Sequence, residues 1–319
     1  MPKDWSRRRF LALTATVAAA AAACSSEKPG AVAGDGSVTV KHMFGETKVP
    51  GPPTRVVSAG YTEQDDLLAV GVVPIAVTNW FGDQPFGVWP WATSKLGGAQ
   101  PEVLDLSNGI QIDRIAALKP DLIVATNAGV DEDTYKKLSE IAPTIPQSGQ
   151  DAFFEPWTTQ AAAISQAVFK YDDMARIVKA IEDKFTEVGK NSPQFAGKKA
   201  LLLQGTLVDD AVHAWTPNWR NDFLTRMGLT VPDTGDGVIA RDRMEEVLDG
   251  ADVLIWTTES DEQQAALLAD PTIAKLAATA GQRNVFTGKD LAGAIAFASP
   301  LSYPVVADQL PPALTKVLG

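Results

Sequence analysis

The chain reads as an α/β protein of two lobes joined by one long rigid α-helix. Three observations predict this. Short apolar runs alternate with amphipathic stretches on both sides of the middle of the 319-residue chain, the pattern of βαβ units on a parallel sheet. One phrase also occurs twice. Ile112-Asp113-Arg114-Ile115-Ala116-Ala117-Leu118-Lys119-Pro120-Asp121-Leu122-Ile123-Val124 has a partner in Met244-Glu245-Glu246-Val247-Leu248-Asp249-Gly250-Ala251-Asp252-Val253-Leu254-Ile255-Trp256. Each copy places an acid one residue after an apolar one on a short amphipathic helix, then passes through a polar turn into Asp and a strand-forming run. Between the copies, Ile164, Val168, Tyr171, Met174, Val178, Ile181, Phe185 and Val188 recur at steps of three and four, one continuous helical stripe.

From the N-terminus, Ser6-Arg7-Arg8-Arg9-Phe10-Leu11 fits the twin-arginine export pattern, and the apolar stretch 10–23 is too short for the roughly 20 residues of a spanning helix. It ends in Ala21-Ala22-Ala23-Cys24, which looks like a lipobox with Ala21 where Leu is usual. Residues 1–23 are therefore expected to be a lipoprotein signal peptide of the twin-arginine type. Cys24 is the expected lipidation site, tying the protein to the outer face of the cytoplasmic membrane. Cys24 is the single cysteine, so no internal disulfide can form. The Ser, Gly, Ala, Pro and charged residues of 24–37 read as a flexible tether. Cleavage before Cys24 leaves 24 basic against 38 acidic residues, which argues against a nucleic-acid partner.

The N-terminal lobe is expected over 38–155, with strands at 55–58, 72–77 and 122–125. A helix begins at Thr62-Glu63-Gln64-Asp65-Asp66 with Thr as its cap and acids in its first turn, and further helices occupy 110–119 and 131–140. The stripe over 156–190 predicts a linking helix of about 50 Å. The C-terminal lobe, 191–319, resumes the alternation with strands at 199–204, 212–215, 253–256 and 284–286. Helices are expected near 219–227, 243–249, 261–268, 271–279 and 303–318.

The loops carry the candidate chemistry. Asn79-Trp80-Phe81-Gly82-Asp83 follows a strand end, and Phe86, Trp89 and Trp91 come soon after. The second lobe offers Trp215-Thr216-Pro217-Asn218-Trp219-Arg220, and Tyr61 lies on the turn after the first strand. Ligands of open parallel sheets sit beyond the strand C-termini, where these loops fall. Rings at a concave site suit a bulky, partly apolar ligand, and the Arg220 guanidinium can pair with its oxygen anions. Tyr61, Trp80, Phe81, Trp89, Trp215, Trp219 and Arg220 are the predicted ligand-binding residues. Only His42 and His213 are present, so no cluster of ligands for a directly bound metal ion is expected.

An exported hydrolase using Glu63, Asp65 and Asp66 is the competing class, since paired carboxylates can cleave glycosides. Those spacings more simply describe a helix first turn. The chain carries no nucleophile elbow, phosphate-cradling Gly loop or His base near a Ser or Cys, so no catalysis is expected.

Over 38–319 the sequence resembles the class III substrate-binding proteins of ABC importers, which serve ferric siderophores, haem and vitamin B12. It is most similar to the iron-dicitrate or siderophore-binding lipoproteins of actinobacteria. The resemblance rests on Pro53-Thr54-Arg55-Val56-Val57-Ser58, Thr62-Glu63, the stretch 67–74 with Gly71, the 112–124 phrase, the linking stripe and Ser299-Pro300-Leu301-Ser302. It implies two Rossmann-like lobes and a monomer without cofactor, holding a ferric siderophore or similar iron chelate in an aromatic cleft, with little closure. It further implies that Asp113 and Glu245 dock on arginines of the permease dimer, one per lobe. The family usually has Glu at both places, and Asp113 is one methylene shorter. Haem is the alternative cargo, with Tyr61 and His213 as candidate iron ligands.

Overall fold

A computed structural model describes residues 28–319; the predicted export signal and Cys24 lie outside the described residues. The chain builds two parallel sheets, as the alternation of strands and helices predicts. The first has five strands in the order Glu102–Leu104, Ala76–Thr78, Val56–Ser58, Leu122–Ala125, Thr144–Pro146. The second has three, in the order Asn284–Phe286, Val253–Thr257, Ala200–Gln204. Among the described residues no helix is long and apolar enough to cross a membrane.

The strands are continuous apolar runs because both faces of each sheet are covered. On the first sheet Val56, Leu122, Val124 and Ile145 face an antiparallel hairpin, Val38–His42 with Gly45–Val49, and the helix Trp157–Ala167. Alternate residues Val57, Ile123 and Ala125 face Ile115 and Leu138 of the helices Ile112–Ala117 and Glu132–Ser139. In the second sheet Leu202, Val253 and Ile255 pack with Phe185, Phe223, Tyr303 and Leu310, while Leu201, Leu254 and Trp256 pack with Met244, Leu248 and Leu267.

The duplicated phrase is structural. In both copies a six-residue helix, Ile112–Ala117 or Met244–Asp249, leads into a central parallel strand. In both, the Asp before the strand pins the start of the neighbouring strand. Asp121 accepts from the Arg55 backbone N–H at 2.7 Å and donates its own to the Arg55 carbonyl; Asp252 repeats this pair with Lys199.

The linking segment departs from expectation. The single long helix predicted over 156–190 is two, Trp157–Ala167 and Tyr171–Asn191, with Phe169 left-handed (φ 62°) between them. The Lys170 N–H donates to Ser165 O, and Trp157 from the start of the first helix and Phe185 from late in the second both stand edge-on to the Tyr303 ring, so the second helix doubles back along the first. The apolar stripe is two stripes serving two cores: Ile164 and Val168 pack on the first sheet, Ile181 and Phe185 on the second. Only Tyr171–Asn191, about 31 Å of helix, connects the two halves, packing on Trp157–Ala167 and on the helices Asp222–Arg226 and Tyr303–Leu318.

The strands Glu102–Leu104 and Thr144–Pro146, the N-terminal hairpin and the buried helix Lys289–Phe297 were not predicted. The tether expected over 24–37 has ordered contacts from Lys28 on. Gly30 abuts the Tyr171 side chain, and Asp35 bonds Ser37 and Lys48.

Candidate functional site

Tyr61, at the C-terminal end of the strand Val56–Ser58, stacks at 5.5 Å on Trp80, which follows Ala76–Thr78. Both rings are half-buried, and Phe81 stands edge-on to Trp80 at 4.6 Å. Phe153 and Phe154, from the loop after Thr144–Pro146, complete this wall, stacking on Tyr61 at 6.0 and 6.5 Å. Sequence reading missed this pair. The strand-end rule that flagged Trp80 applies equally to them once Thr144–Pro146 is recognised as a strand.

Against this wall, in contact with Phe154, stands Arg220, 6% exposed. Its guanidinium carbon lies 4.8 Å from the Phe154 ring centroid, 5.2 Å from Trp215 and 4.8 Å from Trp219. Among the described residues its one hydrogen bond runs from Nη1 to the Ala296 carbonyl at 3.2 Å, and it has no carboxylate partner. Burial draws its pKa down to about 10, the direction expected of a cation taken out of water. Three ring faces compensate part of that cost, each worth about 0.5–2 kcal/mol. Among the described residues the other four of the five guanidinium N–H donors have no acceptor. The Trp215 indole N–H is held by Thr257 Oγ1 at 3.1 Å, while that of Trp219 is buried and has no acceptor among the described residues.

Trp89 is corrected. It was expected to line the cleft, but it is 1% exposed and packs inside the contact between the two halves. It stacks on Trp91 at 4.8 Å and 11°, and Phe297 stands against Trp80, Phe81, Trp89 and Trp91 at 5.6–5.9 Å. Gly293 of the helix Lys289–Phe297 lies so close that a Cβ there would fall 2.5 Å from the Trp89 ring. Trp89 is therefore the ring that mates the aromatic loop to the C-terminal half.

Beneath the wall lies a second unforeseen feature. Thr62 does not cap its helix; it is left-handed (φ 68°), and the acids expected in a solvated first turn are buried. Glu63 turns back to accept from the Gly60 and Asn127 N–H groups at 2.9 and 2.8 Å and from Thr126 and Ser58 hydroxyls. Asp65 Oδ2 accepts from Trp91 Nε1 and from Ser299 Oγ of the C-terminal half, and Asp66 Oδ2 from Gln160 Nε2. Among the described residues Asp65 Oδ1 and Asp66 Oδ1 have no donor. Burial pushes Asp65 up to about 6, holds Asp66 well above the usual carboxylate range, and pushes Glu155 up to about 7. Of these carboxyls Asp65 ties the N-terminal half to Ser299 of the C-terminal half, while Glu63, Asp66 and Glu155 bond within the N-terminal half. Asp65 and Asp66 each accept from neighbouring side chains with one oxygen.

Asp113 and Glu245 are both exposed, each the second residue of its helix, and neither makes a side-chain bond among the described residues. Each helix runs into its strand from the strand's N-terminal edge, so both acids stand at the edge where the strands end, as do the aromatic loops. His213, half-buried, pairs with Val238 in a short antiparallel ladder, and no contact joins it to Tyr61. His42 is buried against Thr47 and Tyr135 hydroxyls. Among the described residues no group of three His, Cys, Asp or Glu side chains is placed to hold a metal ion.

The model of a family described as periplasmic binding protein matches residues 56–291. A crystal structure of a periplasmic solute binding protein from Mycobacterium smegmatis is similar at 68% identity and a TM-score of 0.88, covering 89% of this chain and all of that one. The putative ABC transporter substrate-binding lipoprotein YhfQ of Bacillus subtilis is 27% identical over 257 residues, 76% of this chain and 77% of that protein. The Fe(3+) dicitrate-binding periplasmic protein FecB of Escherichia coli is 26% identical over 206 residues, 61% of this chain and 63% of that protein.

Proposed function

We propose that this chain, which belongs to the periplasmic binding protein family, captures a ferric chelate on the surface shared by its aromatic wall and Arg220 and delivers it to an ABC permease. The observation that carries the reading is Arg220 itself. A buried guanidinium boxed by Phe154, Trp215 and Trp219 with no carboxylate is costly unless a ligand brings the missing oxygen anions. The rings supply flat apolar surface for the ligand's body, and the dicitrate-binding relative gives the iron assignment its chemical context. Binding rather than catalysis fits the buried acids: Asp65 ties the N-terminal half to Ser299 of the C-terminal half, and Asp66 is held by Gln160 within its own half.

In this reading Asp113 and Glu245 meet cationic residues of the permease dimer, and the helix Tyr171–Asn191 keeps the two lobes at nearly fixed separation. Cys24 carries the lipid that holds a monomeric receptor at the outer face of the cytoplasmic membrane. Tryptophan-fluorescence titration with ferric chelates tests the core of the proposal. Saturable quenching is expected, weakened at least tenfold by Arg220→Met, without a lower denaturation midpoint because the methionine removes a buried unpaired charge. Equal affinity in the variant, or no quenching by any ferric chelate, overturns the reading.

A further inference from the structure

The loops that follow the C-terminal ends of the parallel strands form the rim of the site, and their charge is one-sided. In the N-terminal half these are residues 59–62, 79–89, 105–111, 126–131 and 147–156. They contain Asp83, Asp105, Asp131, Asp151 and Glu155 and no Lys or Arg. In the C-terminal half residues 205–211 and 258–260 bring Asp209, Asp210 and Glu259, again without a base. The cation of the whole rim is Arg220, in residues 214–221. Lys289 stands just beyond, opening its helix beside Asp290, so the two offset each other. Some of these acids add little free charge: Glu155 is buried with its carboxyl pushed up to about 7, Asp131 caps its helix through the Thr134 N–H, and Asp210 pairs with Arg241. Asp83 and Asp151 are exposed and unbonded among the described residues, and Asp105 is held ionised by the Ser107 hydroxyl and N–H. Asp105 also acts on the Tyr61 ring, whose hydroxyl is pushed up first by burial and then by this charge.

From this asymmetry we infer that the cargo is a ferric chelate with at most one net negative charge, presenting a single oxygen-anion edge to Arg220. The inference rests on the ferric-chelate reading above and narrows it. Three hydroxamates carry three negative charges that Fe3+ cancels, giving a neutral complex; three catecholates carry six and leave three uncompensated. A trianionic complex seated at this rim meets one guanidinium and the unpaired carboxylates of Asp83, Asp105 and Asp151, and like charges facing each other across a binding surface reject a ligand rather than merely failing to attract it. A neutral or cationic complex meets no such repulsion, and its apolar flanks suit the wall of Tyr61, Trp80 and Phe154.

The test is a set of tryptophan-quenching titrations on the mature protein with ferrichrome (neutral), ferrioxamine B (one positive charge) and ferric enterobactin (three negative charges), at low and physiological ionic strength. Ferrichrome or ferrioxamine B is expected to bind at least tenfold more tightly than ferric enterobactin, with the gap narrowing as salt screens the rim. In Asp83→Lys with Asp151→Lys the same ratio is expected to shrink by at least threefold. Ferric enterobactin binding as tightly as the hydroxamates, or a ratio unmoved in the double variant, overturns the charge assignment while leaving the chelate reading intact. Failure of all three to quench overturns both.

Discussion

Replacing Gly293 by alanine separates two opposing effects whose sizes the structure supplies. Gly293 sits inside the helix Lys289–Phe297 without a left-handed backbone, so alanine should favour that helix by about 0.5–1 kcal/mol. The added methyl, however, would fall 2.5 Å from the Trp89 indole. That ring cannot retreat, being stacked on Trp91 and 1% exposed, so overpacking should cost about 1–3 kcal/mol. The clash wins, and the variant should lose on the order of 1–2 kcal/mol, a fall of a few degrees in melting temperature at about 2–4 °C per kcal/mol for domains of 150–250 residues. Urea denaturation of Gly293→Ala, Trp89→Phe and the double variant forms a cycle. In the Trp89→Phe background, with the smaller ring leaving space, Gly293→Ala should be neutral or stabilising, a coupling of at least about 1 kcal/mol. If Gly293→Ala stabilises the native background as helix propensity alone dictates, the two halves do not mate through Trp89 as described.

The buried acids predict a pH dependence. Asp65 holds its proton to about pH 6 when folded, whereas its unfolded carboxyl releases it near 3.8, so the folded state binds more protons between those values. Its contribution to stability is therefore full below about pH 4 and lost as pH rises through 6, by roughly 3 kcal/mol; denaturation free energies of Asp65→Asn should fall less steeply over that window than those of the native protein, and an unchanged slope counts against the assignment. Asp121→Ala removes an acceptor of three bonds from Thr54 and Arg55 and should cost about 1–2 kcal/mol, while Asp252→Ala, which frees only the Lys199 N–H, should cost less; equal costs in urea titrations would contradict the bond count. Asp113→Ala with Glu245→Ala should abolish most chelate uptake by cells while leaving ligand affinity within about twofold, and uptake at native rates would remove the docking role.

The duplicated phrase was legible because its helix–turn–strand pattern is local, and the strand Leu122–Ala125 falls where its apolar run places it. Glu102–Leu104 and Thr144–Pro146 were illegible because three residues carry too little period to distinguish a strand from a loop. The break at Phe169 left no mark, since neither Gly nor Pro punctuates it and the apolar spacing runs through the turn unaltered; only the partition of Val168 and Ile181 between two cores reveals two helices. Trp80 and Arg220 were singled out by residue type and loop position, but Trp89 and Trp80 look alike in sequence. What separates them is the helix Lys289–Phe297, about 200 residues later, whose Gly293 closes over one ring and not the other. The first-turn acids misled for a related reason: a carboxylate at a helix start usually faces water, and here a backbone turn and a helix from elsewhere in the chain cover it.

The most direct test of the central claim is where iron sits. A crystal of the mature protein grown with ferrichrome and measured at the iron absorption edge should show one anomalous peak beside Arg220 and the Tyr61–Trp80–Phe154 wall, with ligand oxygens on guanidinium N–H groups. A fully occupied peak elsewhere, for instance in the groove beside Tyr171 and Gln166, would contradict it.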